Sequence, residues 1–195
     1  MKYTEGNRTM RLEGITQHDI KYSNMAGRYN PNNPNDQPDK PQHVLVVWID
    51  DNEIADALKE AGFNVKEDED KFHEDRGISS YLQFKAYPRT QRNYRSGKEE
   101  LVPKVVKVTS RESRVLQESE FGDVDFAHIN NIDISFNKYT PKIGNRERVV
   151  PSIDQLWFTV DETAGGQNND EEYFRKKYAH LLDDVDEEED EIPFE

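Results

Sequence analysis

Residues 78–87 read Ile78-Ser79-Ser80-Tyr81-Leu82-Gln83-Phe84-Lys85-Ala86-Tyr87 and carry the clearest strand pattern in the sequence. Its apolar residues share one parity: Ile78, Leu82, Phe84 and Ala86. The opposite parity carries aromatic and polar residues: Tyr81, Gln83, Lys85, Tyr87 and, just beyond, Arg89. Because successive side chains of a strand point to opposite faces, this pattern predicts a half-buried strand whose outer face is aromatic and basic.

The segments on either side predict further strands and one clear helix. Residues 44–49 are a continuous apolar run, typical of a buried strand, and residues 11–22 are extended around three apolar anchors. Strands are also expected at residues 102–108, 132–137 and 155–160. Residues 50–63 predict a helix, with Asp51 as its N-cap and Gly62 just past its end.

Five or six strands with a single good helix exclude the alternating order of a parallel doubly wound sheet. The sequence therefore predicts a mainly β protein, an OB-fold-like barrel of five to six strands with one short helix. We expect an OB-like nucleic-acid-binding domain over residues 1–165 and a linker with a short helix over 166–182. Residues 183–195 are expected to be a disordered acidic tail, since like charges repel and nothing in the run can be buried.

The amino-acid composition excludes several kinds of site and of protein. The chain of 195 residues has no cysteine, which excludes disulfide scaffolds, zinc knuckles, thiol nucleophiles and iron–sulfur sites. No apolar run approaches the roughly 20 residues of a membrane span, and the N-terminus lacks the apolar stretch of a secretory signal. A cytoplasmic protein is therefore expected.

Charge is unevenly distributed along the chain. The formal net charge is −14, yet residues 76–114 carry a net +7, between an acidic segment of −8 at residues 50–75 and nine acids without a base after Leu182. Single-stranded nucleic acid needs cations for its phosphates and flat side chains for its bases. We therefore expect a nucleic-acid-binding surface formed by Tyr81, Lys85, Tyr87, Arg89, Arg92, Tyr94, Arg95, Lys104 and Lys107. Trp48 and Trp157 are lower-ranked contacts, since strand aromatics more often pack in a core.

Enzyme motifs are weak by comparison. Pro38-Asp39 and Glu69-Asp70-Lys71 imitate the carboxylate–lysine pattern of metal-dependent nucleases, but such a match is easily met in a chain with 34% charged residues. The five histidines show no ligand spacing, and no phosphate loop or nucleophile elbow is present. No catalytic residue, metal or cofactor is therefore expected.

The C-terminus ends in acids followed by Ile192-Pro193-Phe194 and then Glu195. This ending resembles the tail of bacterial and bacteriophage single-stranded DNA-binding proteins, although in the bacterial proteins the phenylalanine is the last residue. The resemblance implies that Ile192, Pro193 and Phe194 dock replication or recombination partners and that the tail competes with DNA for the basic groove.

A second resemblance runs through residues 10–165, by way of Tyr22–Asn30, Trp48-Ile49-Asp50-Asp51, residues 103–110 and residues 129–133. It is similar to phage proteins suspected of being OB-fold single-stranded DNA-binding proteins. It implies a phage replication or recombination role in the cytoplasm of the host. Together with the aromatic and basic surface, it predicts a protein that coats and protects single-stranded DNA largely independently of sequence. The alternative is an acidic DNA mimic that inhibits a host nucleic-acid-binding protein through residues 50–75 and the tail.

Overall fold

The structure, a computed structural model, describes residues 1–6, 9–31, 41–69, 77–93, 96–140, 142–143, 146–147 and 149–160, with backbone only at 142–143 and 146–147. The contacts within the chain separate Met1–Glu162 from the remainder. The helix predicted within residues 171–182 and the acidic tail lie outside the described residues.

The described part of the chain is built mainly of strands. In chain order these are β1 (Lys2–Glu5), β2 (Met10–Ile15), β3 (Ile20–Asn24), β4 (His43–Ile49), β5 (Lys66–Glu69), β6 (Ile78–Ala86), β7 (Arg89–Arg92), β8 (Glu99–Val102), β9 (Lys104–Val108), β10 (Ser113–Val115), β11 (Ile129–Tyr139), β12 (Lys142–Ile143), β13 (Arg146–Glu147) and β14 (Val150–Val160). The helices are α1 (Asn52–Glu60) and the single turn α2 (Asp123–Phe126), with 3₁₀ turns at Gln17–Asp19 and Glu118–Glu120.

The main sheet separates β2 from β3, although the two strands are nearly consecutive in the chain. Its order is β1-β2-β11-β14-β6-β4-β3, so β2 lies towards one end and β3 at the other. The chain passes from β2 to β3 through the 3₁₀ turn Gln17–Asp19, which contacts both β11 and β4. If β2 and β3 are counted as one strand position, the other four are β4, β6, β14 and β11. Neighbouring positions are antiparallel except β6 and β14, which are parallel, and together they form the OB-like barrel that the sequence predicts.

The barrel interior is filled by the inward residues of these strands. Leu82, Phe84 and Ala86 are buried as predicted, and Phe136 on β11 packs against Phe84 and Phe63 with ring centroids 5.0 and 5.6 Å apart. Ile78 contradicts the prediction: its side chain is 75% exposed, because it begins β6 opposite Glu69, beyond the packed part of the barrel.

Helix α1 follows the sequence prediction closely. The Asp51 carboxylate accepts the backbone N–H of Glu53 at 2.8 Å, which satisfies a group that has no partner within the helix. Ile54, Ala55 and Leu58 are buried, and Gly62 adopts φ +89°, a conformation that glycine reaches without strain.

Strand β14 is lined along one edge by two successive parallel segments. Ser152 pairs with Lys85 near the end of β6, and residues 155–159 then pair with β9. Between these segments the chain leaves the sheet as the hairpin β7–β8. The sequence predicts only a polar connection at residues 89–100, so the hairpin is an addition to that prediction.

Candidate nucleic-acid interface

The outer faces of β3, β4 and β6 form one continuous surface. Strand pairing places Tyr22 beside Val46 and Gln83 in one row, and Asn24, Val44 and Lys85 in the next. A third row holds Trp48, Tyr81 and Lys66. We call this surface the outer sheet face and define it by Tyr22, Val44, Val46, Trp48, Tyr81, Gln83 and Lys85. It joins an apolar floor to aromatic and basic side chains, as the alternation in β6 predicts.

Tyr81 is held by its neighbours. Its ring meets Trp48 edge to face at 5.7 Å, and Lys21 Nζ lies 4.8 Å from the Tyr81 ring centroid and 4.0 Å from that of Trp48. Lys21 also pairs with Asp68 at 2.6 Å. Partial burial, and secondarily the charge of Asp68, raise the pKa of the Tyr81 hydroxyl. Trp48 is only 1% exposed, which fits the packing role that strand aromatics more often have and supports its lower rank as a base contact.

Lys85 and Tyr87 lie further along β6. Lys85 Nζ donates to Gln42 Oε1 at 3.0 Å, which ties the end of the β3–β4 connection to the face. Tyr87 packs against Tyr139 from the end of β11, with ring centroids 5.0 Å apart and planes inclined by 60°. Burial, and secondarily the Tyr139 hydroxyl, raise the pKa of Tyr87. Tyr139 is 45% exposed, so this tyrosine pair reaches solvent.

A cleft opens beside the middle of β6. On that edge β5 pairs as far as Tyr81 and β14 pairs only at Lys85, so no described strand pairs with residues 82–84 there. The cavity at this gap has a volume of about 300 Å³. Its lining includes Asn64, Lys66, Tyr81, Gln83, Lys85, Tyr87, Tyr139 and Pro151.

The described ends of the β3–β4 connection are fixed by buried polar groups. The carboxylate of Asp125 on α2 accepts the Met25 N–H at 2.7 Å, the Ala26 N–H at 2.9 Å and the Ser23 hydroxyl. His43 Nδ1, 2.7 Å from the Met25 carbonyl oxygen, donates to it. These bonds hold the start of the connection against β4 and so fix one border of the outer sheet face.

The hairpin β7–β8 presents its two arginines differently. Arg89 pairs opposite Val102 and Arg92 opposite Glu99, and at three residues' separation they point to opposite faces of the hairpin. Arg92 Nε also donates to the Gly97 carbonyl at 3.2 Å. Arg89 Nη1 donates to the Tyr87 carbonyl oxygen at 3.5 Å. The predicted contacts Tyr94 and Arg95 lie outside the described residues.

Lys104 and Lys107 lie three residues apart on β9, so their side chains point to opposite faces of the strand. Lys104 is exposed and pairs opposite Gln155, and a register shift that skips Asp154 puts Gln155 on the same side of β14 as Ser152, the partner of Lys85. Lys107 takes the parity of the buried Val105 and pairs with Asp123 at 3.1 Å. The structure therefore places Lys104, but not Lys107, on the side of Lys85.

Three residues that sequence reasoning did not select adjoin the predicted ones. Tyr22 is 37% exposed on β3, Tyr139 ends β11, and Lys66 pairs opposite Tyr81. The alternation of residues 132–137 continues to Tyr139, so its outward position could have been read from the sequence. The positions of Tyr22 and Lys66 depend on strand pairing, which no local pattern reveals.

Among the described residues, no group of three or more His, Asp or Glu side chains could hold a metal ion. Most of the nuclease-like pattern, including Asp39 and Lys71, lies outside them, as do Ile192, Pro193 and Phe194. No helix in the described ranges is long and apolar enough to cross a membrane.

No family model and no curated protein matches the chain. Among solved structures, it is similar to the single-stranded DNA-binding protein of bacteriophage Enc34 in complex with single-stranded DNA. That match has 8% identity and a TM-score of 0.46, covering 79% of this chain and 87% of the other. It is also similar to the single-stranded DNA-binding protein encoded by bacteriophage T7, with 12% identity and a TM-score of 0.38, covering 84% of this chain and 99% of the other.

Proposed function

We propose that this protein binds single-stranded DNA without catalysis, largely independently of sequence, along the outer sheet face. The observation that carries the proposal is the arrangement of Tyr22, Tyr81 and Tyr87 around an apolar floor, with Lys66 and Lys85 beside them. On an OB barrel this is the face of the second and third strand positions, here β4 and β6, which is the usual ligand face of the fold.

On this surface, different side chains would contact the bases and the phosphates of a single strand. Stacking on an aromatic ring stabilises an unstacked base by about 1–3 kcal/mol, and it tolerates any base because every base has a π-face. Lys85 and Lys104 follow the line of β6 and β9 along β14, where they can contact successive phosphates, and Arg89 adds a further cation on the exposed strand β7. Lys107 is left out because Asp123 already neutralises it.

The acidic C-terminal tail completes the proposal. Residues 183–195 compete with DNA for the basic side chains, and Ile192, Pro193 and Phe194 dock replication or recombination proteins. The chain then coats and protects single-stranded DNA in the cytoplasm of a phage-infected host. Support for this part is the sequence of the tail alone.

A titration with oligothymidylate at two salt concentrations tests the proposal. Trp48 serves as the probe, because it lies beneath Lys21 against Tyr81 and its fluorescence should change when the face is covered. We expect saturable binding that weakens as salt rises, since counterions are released from the phosphates. No binding, together with competition against oligothymidylate for a host protein, would instead support the acidic DNA mimic. Cleavage of the oligonucleotide with Mg²⁺ or Mn²⁺ would contradict the absence of catalysis.

A further inference from the structure

The cleft beside residues 82–84 interrupts an otherwise paired strand edge. Tyr81 is paired to β5 and Lys85 to β14, and the edge between them borders the cavity of about 300 Å³. Backbone N–H and C=O groups almost always find partners in folded proteins. Groups on this edge that face the cleft are therefore available to water or to a ligand.

The side chains around the cleft combine three kinds of chemistry. Tyr81 lies on one side, and the Tyr87–Tyr139 pair provides inclined ring surfaces on the other. The amides of Gln83 and Asn64 have no hydrogen-bond partner within the described residues, and each offers both a donor and an acceptor. Lys66 and Lys85 add positive charge. A nucleotide can use all three: its base stacks on an aromatic surface, the base edge bonds to an amide that both donates and accepts, and its phosphate binds a cation.

The size of the cleft limits which ligands it can hold. Three strand residues span about 10 Å, whereas a strand in a globular protein is usually about 17–20 Å long. β5 closes one end of the gap and Pro151, which has no N–H to donate, lies at the other. An extended peptide therefore has no room to continue the sheet. The cavity volume lies at the lower end of small-molecule sites, which suits a single base with its sugar.

We propose that the cleft is a subsite for one base of the bound single strand, which enters between Tyr81 and the Tyr87–Tyr139 pair and is hydrogen-bonded by the Gln83 and Asn64 amides. The inference rests on the proposed function and adds a base preference at one position to binding that is otherwise independent of sequence. The remaining bases stack on the outer sheet face outside the cleft.

Photocrosslinking locates the base directly in the full-length protein. Oligothymidylate carrying 5-iodouracil in place of thymine is bound, irradiated and digested, and the crosslinked residues are identified by mass spectrometry. We expect crosslinks to Tyr87 or Tyr139 that disappear when excess unmodified oligothymidylate competes. Efficient crosslinking to Tyr22 alone, with the cleft tyrosines unmodified, would overturn the subsite and leave the proposed function intact.

Binding to length-matched homopolymers of dT, dC and dA then tests the amides. Wild-type protein should distinguish the best from the worst homopolymer by on the order of tenfold, as expected for a hydrogen-bonded base edge. Gln83→Leu should reduce this ratio to below about threefold while the slope of affinity against salt stays unchanged, because no phosphate contact is lost. Asn64→Ala, in an exposed position, provides a second variant that leaves the strand intact.

Gln155→Leu is the matched control for this series. Gln155 is a half-buried glutamine on β14, outside the cleft, and its substitution should leave the ratio between homopolymers unchanged. If both Gln83→Leu and Asn64→Ala leave the affinity ratio between homopolymers unchanged, the subsite is refuted. Tight binding in the same experiment would still support the proposed function. Absence of binding to every homopolymer by the wild-type protein would refute the proposed function and the subsite with it.

Discussion

Tyr81 and Tyr87 share a strand face but differ in what surrounds them. Tyr81 is fixed by Trp48 and by Lys21, which lies over both rings, so its ring supports the face as much as it offers a surface. Tyr87 packs on Tyr139, which reaches solvent. Of the two, Tyr87 has the ring that can meet a base with less rearrangement.

Substitution of Tyr87 separates stacking from the rest of binding. Tyr87→Ala should weaken oligothymidylate binding by about 1–3 kcal/mol, the usual value of one base–aromatic stack. Tyr87→Phe is the matched control, because it keeps the ring and removes only the hydroxyl, and it should bind within about twofold of wild type. Fluorescence titration measures both affinities, with circular dichroism to verify the fold. Equal affinity of the alanine variant and wild type would remove Tyr87 from the site.

The alternation in residues 78–87 was sufficient to predict which side chains of β6 face outwards. It could not place Ile78, because a parity pattern does not show where packing against the barrel ends. It also could not find Tyr22, which reaches the row of Gln83 only through the pairing of β3 with β4 and β4 with β6. The alternation of one strand can be recognised within a short segment of sequence. Which strands lie side by side in a barrel depends on residues about sixty positions apart.

The hairpin β7–β8 illustrates the same limit for a whole element. Strand β7 is polar and exposed, and β8 has only Leu101 and Val102 half-buried at its end, so the hairpin carries no hydrophobic period from which a strand could be recognised. Strand β4 was recognisable at residues 44–49 from its continuous apolar run, β11 at residues 132–137 from its alternation, and helix α1 from its N-cap and apolar spacing. The unrecognised hairpin places Arg89 and Arg92 on opposite faces, so we expect unequal contributions from them to the proposed DNA binding.

Salt dependence should reveal this inequality. Each phosphate contact to a single strand contributes roughly 0.7 to the slope of log affinity against log salt. Arg89→Ala should lower the slope by about that amount, whereas Arg92→Ala should change it less because Glu99 lies opposite Arg92. Arg111→Ala, an exposed arginine in the β9–β10 turn, is the control and should leave the slope unchanged. Equal losses from Arg89 and Arg92 would contradict the assignment of faces.

Helix α2 is a single turn whose main role is to position Asp125. This carboxylate is 4% exposed and accepts from Ser23, Met25 and Ala26, so removal of its charge weakens three bonds at once. Asp125→Asn should lower the free energy of unfolding by about 2–3 kcal/mol, since hydrogen bonds to charged groups are each worth more than neutral ones. Asp56→Asn, on the exposed side of α1, should stay within about 0.5 kcal/mol. Urea unfolding measures both, and equal stabilities would mean that the network does not anchor the connection.

At the scale of the whole molecule, charge is separated along the sequence rather than balanced within it. The outer sheet face and the hairpin draw on a segment of net +7, while nine acids and no base follow Leu182. Net charge alone would argue against nucleic-acid binding, because the chain carries −14 overall. Strand β5 brings Lys66 from the acidic segment beside Tyr81, while Asp68 of the same strand pairs with Lys21, so cations and acids from distant segments meet at this end of the face.

A tail connected to the same chain competes with DNA at a high effective concentration, without requiring tight binding of its own. Protein comprising residues 1–182 should therefore bind oligothymidylate more tightly than the full chain at low salt. The difference should shrink as salt rises, because screening shortens the Debye length to about 10 Å at 0.1 M. Phe194→Ala, which keeps all nine acids, is the matched control: it should retain wild-type DNA affinity and lose only binding to a replication or recombination partner. If the full chain and residues 1–182 bind equally at low salt, the tail does not compete for the face and its acids serve partner docking or solubility instead.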